Sequence, residues 1–241
     1  MPLRAAAAAS HSQTMETPDL RRRTDMRRRQ VGASEAGLSA GGGYHVGVTS
    51  TATSVELLGR EMRRLRLSEY HRMIEAAVFD EDERVELLEG VIVRMSPQGT
   101  DHALVVERLN DPLFLGLPRE YVVRCQLPLS LSESDEPEPD IAVIERDAVR
   151  SRKSHPTTAR LVFEVAGESL RKDREVKGPL FARAGVPEYV IVNLAEERLE
   201  VHREPDPATG RYRTLVTLDK SATFASESVP GLKFAVAQLL A

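Results

Sequence analysis

The chain has 241 residues, of which 41% are hydrophobic and 29% charged, enough for one globular domain with additional sequence beside it. Its net charge of -4 argues against a protein that coats nucleic acid by charge alone. A single cysteine, Cys125, excludes an internal disulfide and a zinc site built from cysteines. No apolar run is long enough to cross a membrane, and we predict a cytoplasmic protein with no membrane partner.

Residues 1–60 are predicted to form a disordered tail rich in Arg, Ala, Gly and Ser. Little of this stretch has a helical or strand period, so it can bury little apolar surface. Residues 1–50 hold seven Arg and four acidic residues, a net charge of +3, so the rest of the chain carries -7. Residues 61–241 are predicted to be one domain, and its acidic charge requires metal ions or local basic patches before it can approach a phosphate backbone.

The predicted elements of residues 61–241 alternate between helices and strands. A first helix is expected from Ser68, followed by a β-hairpin that turns at Glu89-Gly90 and a helix over 102–109. Six β-rich segments come next, with one helical segment at 171–184 between the third and the fourth. A last short helix is expected at 233–240.

Three of the strand segments are almost continuously apolar: IAVI (141–144), LVFEVA (161–166) and YVIVNL (189–194). Strands of this kind are covered on both faces. Because helices are predicted before and between them, we expect an α/β domain with a mixed central β-sheet flanked by helices.

Two carboxylates stand out against these apolar strands. Asp140 opens one strand, and Glu164 interrupts the next, where an ionised side chain is costly unless it is paired or binds a metal. If the two strands are neighbours, both carboxylates can reach one point. Together with water and a backbone carbonyl, for which Val165 is the obvious candidate, they suit Mg²⁺ or Mn²⁺. The alternative for Asp140 is an ordinary turn residue.

A lysine follows at a spacing that matters. Asp173 and Lys177 stand four residues apart and would share a helix face, from which Lys177 could reach the Glu164 strand and stabilise charge on a phosphate. The alternative is a surface ion pair between Asp173 and Lys177, which contributes little. Gly178-Pro179 follows directly, so the helix either kinks there or begins at Pro179 with Lys177 in the preceding loop.

These segments resemble a known family. PEPDIAVI (137–144), the stretch from LVFEVAGES to PEYVIVNL (161–194) and RVELLEGVIVRMSPQGTDHALV (84–105) resemble the PD-(D/E)XK restriction-endonuclease-like superfamily. Within it, they look like the Uma-type restriction endonucleases, from Leu67 to the C-terminus. The resemblance makes Asp140 the Asp of the PD element and Glu164 the acidic residue of the second element. The usual lysine two positions later is replaced by Ala166, and Lys177 matches a lysine moved to the following helix.

The resemblance also implies further residues and a function. Glu89 matches an upstream acidic residue that completes the metal shell, and His102 matches a recurrent histidine. The implied activity is a Mg²⁺-dependent endonuclease acting on nucleic acid, DNA before RNA, and a homodimer would suit the cutting of two strands. The alternative is a scaffold or nucleic-acid-binding module that keeps the fold without catalysis. The acidic charge, Ala166 and the Gly178-Pro179 pair favour that alternative.

Overall fold

The computed structural model of the chain describes Gly59, residues 62–148 and residues 154–240. Apart from Gly59, the predicted tail over 1–60 lies outside the described residues, and the division of the chain near residue 60 stays a prediction. Within the described part, no helix has the length and apolar character needed to cross a membrane.

The elements of the first half include the predicted hairpin and the predicted helix near residue 102. In chain order they are α1 (Leu67–Glu75), β1 (Val85–Leu88), β2 (Val91–Arg94), α2 (Thr100–Gly116), β3 (Tyr121–Cys125), β4 (Ile141–Glu145) and a 3-10 turn (Arg146–Ala148).

The second half begins with a strand and a helical segment of three consecutive parts. Its elements are β5 (Leu161–Ala166), α3 (Leu170–Lys172), a π turn (Asp173–Lys177), α4 (Gly178–Arg183), β6 (Glu188–Asn193), β7 (Arg198–Asp206), β8 (Arg211–Leu218), β9 (Thr223–Ala225), β10 (Lys233–Ala235) and α5 (Ala237–Leu240).

Strands β3 to β8 form one six-stranded sheet in chain order. Only β5 and β6 are parallel within it, and the other neighbours are antiparallel. Parallel strands need a crossover connection, which the helical segment over 170–183 supplies. The pairs β1–β2 and β9–β10 form two separate two-stranded sheets. The predicted mixed α/β fold is confirmed.

Each face of the sheet carries its own apolar cluster. One face packs against α2, α5 and the β9–β10 pair, through residues that include Val105, Leu109, Phe163, Phe224, Phe234 and Leu239. The other face packs against α4, through residues that include Ala142, Val162, Phe181, Tyr189 and Ile191. Because side chains alternate along a strand, Glu164 shares the second face with Val162 and Ala166, beneath the helical segment.

Two predicted helices differ from the structure in detail. Helix α1 begins at Leu67 after the N-cap residue Arg66, so Ser68 lies inside it. Residues 233–240 were predicted to be one helix, but the structure forms β10 before the short α5. The aromatic ring of Phe234 explains the strand, because it packs on Phe224 at 5.0 Å between ring centroids while β10 pairs with β9.

The helical segment passes through Gly178-Pro179 without leaving helical geometry. The Gly178 N–H donates to the carbonyl of Asp173, five residues earlier, and this wider turn ends where α4 begins. Pro179 is the second residue of α4, an early helical position at which proline is tolerated. Lys177 therefore lies in the helical segment and not in a preceding loop.

Candidate active site

Asp140 and Glu164 meet because of the register between β4 and β5. Ile141 pairs with Phe163, so the residue before the first and the residue after the second stand opposite each other. The Asp140 N–H donates to Glu164 Oε2 at 3.4 Å, and both residues are buried, with 8% and 4% of their surface exposed. The antiparallel register of β4 and β5 thus brings both carboxylates to one point.

Asp140 is held in place by two donors on its Oδ2 atom. The Val165 N–H donates to it at 2.8 Å, and His102 Nε2 lies at 3.0 Å. Burial alone would raise the pKa of Asp140, but the hydrogen bond and charge of His102 together with the Val165 amide outweigh it and lower the pKa below its ordinary value. Asp140 is therefore an ionised carboxylate whose orientation is fixed.

Lys177 lies between two buried carboxylates. Its Nζ is 2.9 Å from Glu164 Oε1 and 3.1 Å from Glu86 Oε2. Burial opposes a charge on this ammonium, yet Glu164, Glu86 and Asp173 outweigh it and raise the pKa of Lys177 above its ordinary value. Lys177 is a cation at neutral pH, and the structure brings it together with Asp140 and Glu164, as the sequence predicts. Their catalytic roles stay predictions.

Negative charge is in excess around Glu164. Burial raises the pKa of Glu164 well above its usual range, and repulsion from Asp173 and Asp140 adds to this against the attraction of Lys177. Asp173 is also buried, and burial raises its pKa although Lys177 and a hydrogen bond from Ser169 oppose the shift. The Asp173 carbonyl accepts a hydrogen bond from Tyr189 at 3.0 Å, which anchors the π turn to β6.

Glu86 is a member of this site that the sequence interpretation missed. It lies on β1 with 1% of its surface exposed, and its two carboxylate oxygens contact Lys172 and Lys177. Burial alone would raise the pKa of Glu86, but the two lysines lower it below its ordinary value. The signal was present in the sequence, because Glu86 interrupts an apolar strand as Glu164 does.

Glu89 does not join the group. It lies in the hairpin turn with a positive φ of 50°, and its Oε1 pairs with Arg183 at 2.9 Å. Its side chain is about half exposed, at 51%. Glu89 is not among the residues that line the cleft at Asp140 and Glu164, and the acidic residue that β1 contributes to the site is Glu86.

The site opens on a cleft of about 370 Å³. The first turn of α2 forms one wall. The end of β5 and the start of the helical segment form the other wall. Among the described residues, six carboxylates and two lysines line it together with His102, and these residues are Asp101, Glu138, Asp140, Glu164, Glu168, Asp173, Lys172 and Lys177. A phosphate entering this cleft needs additional positive charge.

A metal site at Asp140 and Glu164 has suitable oxygen donors but few side-chain ligands. The two carboxylates offer hard oxygen ligands on one wall of the cleft, and Val165 lines the same wall. Within residues 62–148 and 154–240, no group of three or more His, Cys, Asp or Glu side chains is arranged to hold a metal ion. A cation held here would take two side-chain ligands from the described residues, and a carbonyl and water would have to supply the rest.

Comparison with known proteins identifies the family of the chain. Residues 67–237 match the model of the Uma2 family, whose description is "putative restriction endonuclease". The chain belongs to the Uma2 family. The family resemblance predicted from the sequence is thereby confirmed for most of the chain.

A solved structure shows the same fold. It is the crystal structure of a "putative nuclease belonging to DUF820" from Anabaena variabilis ATCC 29413. The similarity has a TM-score of 0.56 and 17% sequence identity, and covers 73% of this chain and 97% of that chain. No curated protein matches the chain. At 17% sequence identity the likeness establishes the fold alone. An activity for this Uma2 protein must be argued from its own residues.

Proposed function

We propose that this Uma2 protein is a metal-dependent endonuclease that hydrolyses phosphodiester bonds of nucleic acid, with DNA as the expected substrate. The observation that supports this most is the meeting of Asp140, Glu164 and Lys177 in one cleft. The family description points to the same class of reaction. A homodimer would place two such sites on two strands and is part of the proposal.

The metal would be Mg²⁺ or Mn²⁺, held by Asp140, Glu164 and the carbonyl of Val165. When bound, such an ion polarises the scissile phosphate and lowers the pKa of an attacking water. The fixed orientation of Asp140 supports this role, because its second donor partner, His102, constrains the carboxylate plane. His102 would thus act as a positioning residue through Asp140.

Lys177 would supply positive charge and not a base. Its raised pKa keeps the ammonium protonated at neutral pH, so it cannot accept a proton from water. Fixed 2.9 Å from Glu164 Oε1, it would act from within this buried ion pair, by orienting a water or by lending positive charge to the site without contacting the phosphate. Glu89 takes no part in the proposed reaction, since it pairs with Arg183 instead.

A second candidate is a nuclease-fold module that binds nucleic acid without cutting it. Two observations favour it: Lys177 already has two carboxylate partners, and only two side-chain ligands for a metal converge among the described residues. The two candidates differ in whether metal-dependent cleavage occurs, and both allow nucleic-acid binding.

Cleavage of supercoiled plasmid tests the proposal. The parent protein is expected to nick or linearise the plasmid with Mg²⁺ or Mn²⁺ and not with EDTA. Asp140→Asn should reduce the rate by about 100-fold or more, because it removes a charged metal ligand while keeping the side-chain shape. Glu89→Gln is the matched control and should cleave like the parent. Equal cleavage by Asp140→Asn, or cleavage in EDTA, would contradict the assignment.

A further inference from the structure

The helical segment carries a second lysine whose position the activity proposed above leaves unexplained. Lys172 is the last residue of α3, and its Nζ lies 2.9 Å from Glu86 Oε1. Glu86 Oε2 contacts Lys177 at 3.1 Å, so one buried carboxylate binds both lysines. The ammonium groups of two lysines are therefore held by one shared carboxylate, that of Glu86.

The π turn explains how both lysines reach Glu86. Lys172 and Lys177 are five residues apart, a spacing that places them on different sides of a regular α-helix. In a π turn the hydrogen bonds also join residues five apart, as Gly178 and Asp173 are joined here. Residues five apart then lie on nearly the same side, and both ammonium groups point to one carboxylate.

The two lysines differ in what they can still bind. The side chain of Lys177 is 4% exposed and contacts both Glu86 and Glu164. A phosphate that reached it would have to break a buried ion pair, which is strongly unfavourable. The side chain of Lys172 is 27% exposed, contacts Glu86 and lines the cleft. Lys172 can donate a hydrogen bond to a phosphate oxygen while Glu86 keeps its pair with Lys177.

We infer that Lys172 is the side chain that binds a backbone phosphate of the nucleic acid in this cleft, with Glu86 as the positioning residue that holds it there. The inference rests on the proposed function, because it assumes a nucleic-acid substrate. It assigns Lys177 to the buried site and Lys172 to substrate binding.

Binding to a fluorescently labelled DNA duplex tests this assignment. The full chain is titrated in Ca²⁺ in place of Mg²⁺, at several salt concentrations, and anisotropy is read. Lys172→Ala should bind about tenfold more weakly than the parent, since a hydrogen bond to a charged group is lost. The slope of log affinity against log salt should become shallower by about 0.9. Lys172→Arg should recover most of the affinity.

Arg171→Ala is the matched control. Arg171 is the neighbouring cation, 86% exposed, and forms a surface pair with Glu175 outside the cleft. It should bind like the parent. Equal weakening by Arg171→Ala and Lys172→Ala would indicate general attraction and overturn the inference, as would parent-like binding by Lys172→Ala.

The failure of the proposed function looks different. A parent protein that binds no duplex overturns both proposals at once, whereas parent binding with an unaffected Lys172→Ala overturns only the assignment of Lys172. If Lys172→Ala fails to fold in a thermal unfolding scan, Lys172→Gln, which keeps most of the side-chain stem, replaces it in the same comparison.

Discussion

At the scale of single residues, the site is an imbalance of buried charge. Glu86, Asp140, Glu164 and Asp173 are all at most 8% exposed, and Lys177 is the one buried lysine that faces them in the described residues. Unpaired buried carboxylates destabilise a fold unless protons or cations compensate them. Such an arrangement is typical of a site whose residues serve function at the expense of stability.

The cost can be measured at Glu164. Its pKa is raised in the folded protein, so the folded state keeps a proton over a pH range in which the unfolded chain has lost it, and stability falls as pH rises through that range. In EDTA, Glu164→Gln should therefore unfold at a higher temperature than the parent at about pH 8, with a smaller difference at about pH 4. A lower unfolding temperature for the variant at the higher pH would show that its charge stabilises the fold.

The sequence predicted part of this residue pattern. An acidic residue inside an apolar strand identified Glu164, and the same physical signal applies to Glu86, which lies three positions before the residue favoured by family resemblance. The structure separates the two residues, because Glu89 occupies the hairpin turn while Glu86 is buried on β1. The pairing of one carboxylate with two lysines depends on tertiary contacts and could not be foreseen.

At the scale of elements, the π turn decides where the cations lie. It anchors through the Asp173 carbonyl, which accepts hydrogen bonds from both Gly178 and Tyr189. Tyr189 is fully buried and packs against Phe181 at 5.1 Å between ring centroids. The turn is therefore held by a rigid aromatic neighbour, and small residues are required beside it.

Gly178 is the small residue in question. A Cβ at this position would lie 3.3 Å from the Asp173 carbonyl oxygen and 3.4 Å from Tyr189 Cε1. Because neither neighbour can shift easily, Gly178→Ala should destabilise the protein by about 1–3 kcal/mol in urea unfolding, although alanine normally favours helices. Gly167→Ala, whose Cβ would meet its nearest neighbour at 4.0 Å, is the control and should stay within about 0.5 kcal/mol. A more stable Gly178→Ala would show that the turn can relax.

The sequence predicted the strands and the helical segment better than the turn within that segment. Apolar runs located β4, β5 and β6, and the helical segment was expected within one residue of its observed limits. The π turn was not predicted, because a glycine-proline pair fits a kink or a new helix start equally well. The turn that forms is supported by a hydrogen bond from Tyr189 on the next strand, a tertiary contact that the local sequence does not reveal.

At the scale of the whole molecule, the charge of the chain and the topology of the sheet together make the cleft acidic. The full chain carries -4, and six carboxylates line the cleft against two lysines. A polyanion approaches such a surface only when cations are bound there. Strand β4 runs antiparallel to β5, next to the parallel pair β5–β6. This topology places Asp140 opposite Glu164, at the end of the sheet where the helical segment begins.

The central claim is that Asp140 and Glu164 form a cation site, and isothermal titration tests it most directly. Mn²⁺ and Mg²⁺ are titrated into the parent chain and into Glu164→Gln, after a thermal unfolding scan has shown that the variant is folded. The account predicts saturable binding by the parent that disappears in the variant. Equal binding by the two proteins would contradict it, because the metal would then be held by residues other than Glu164.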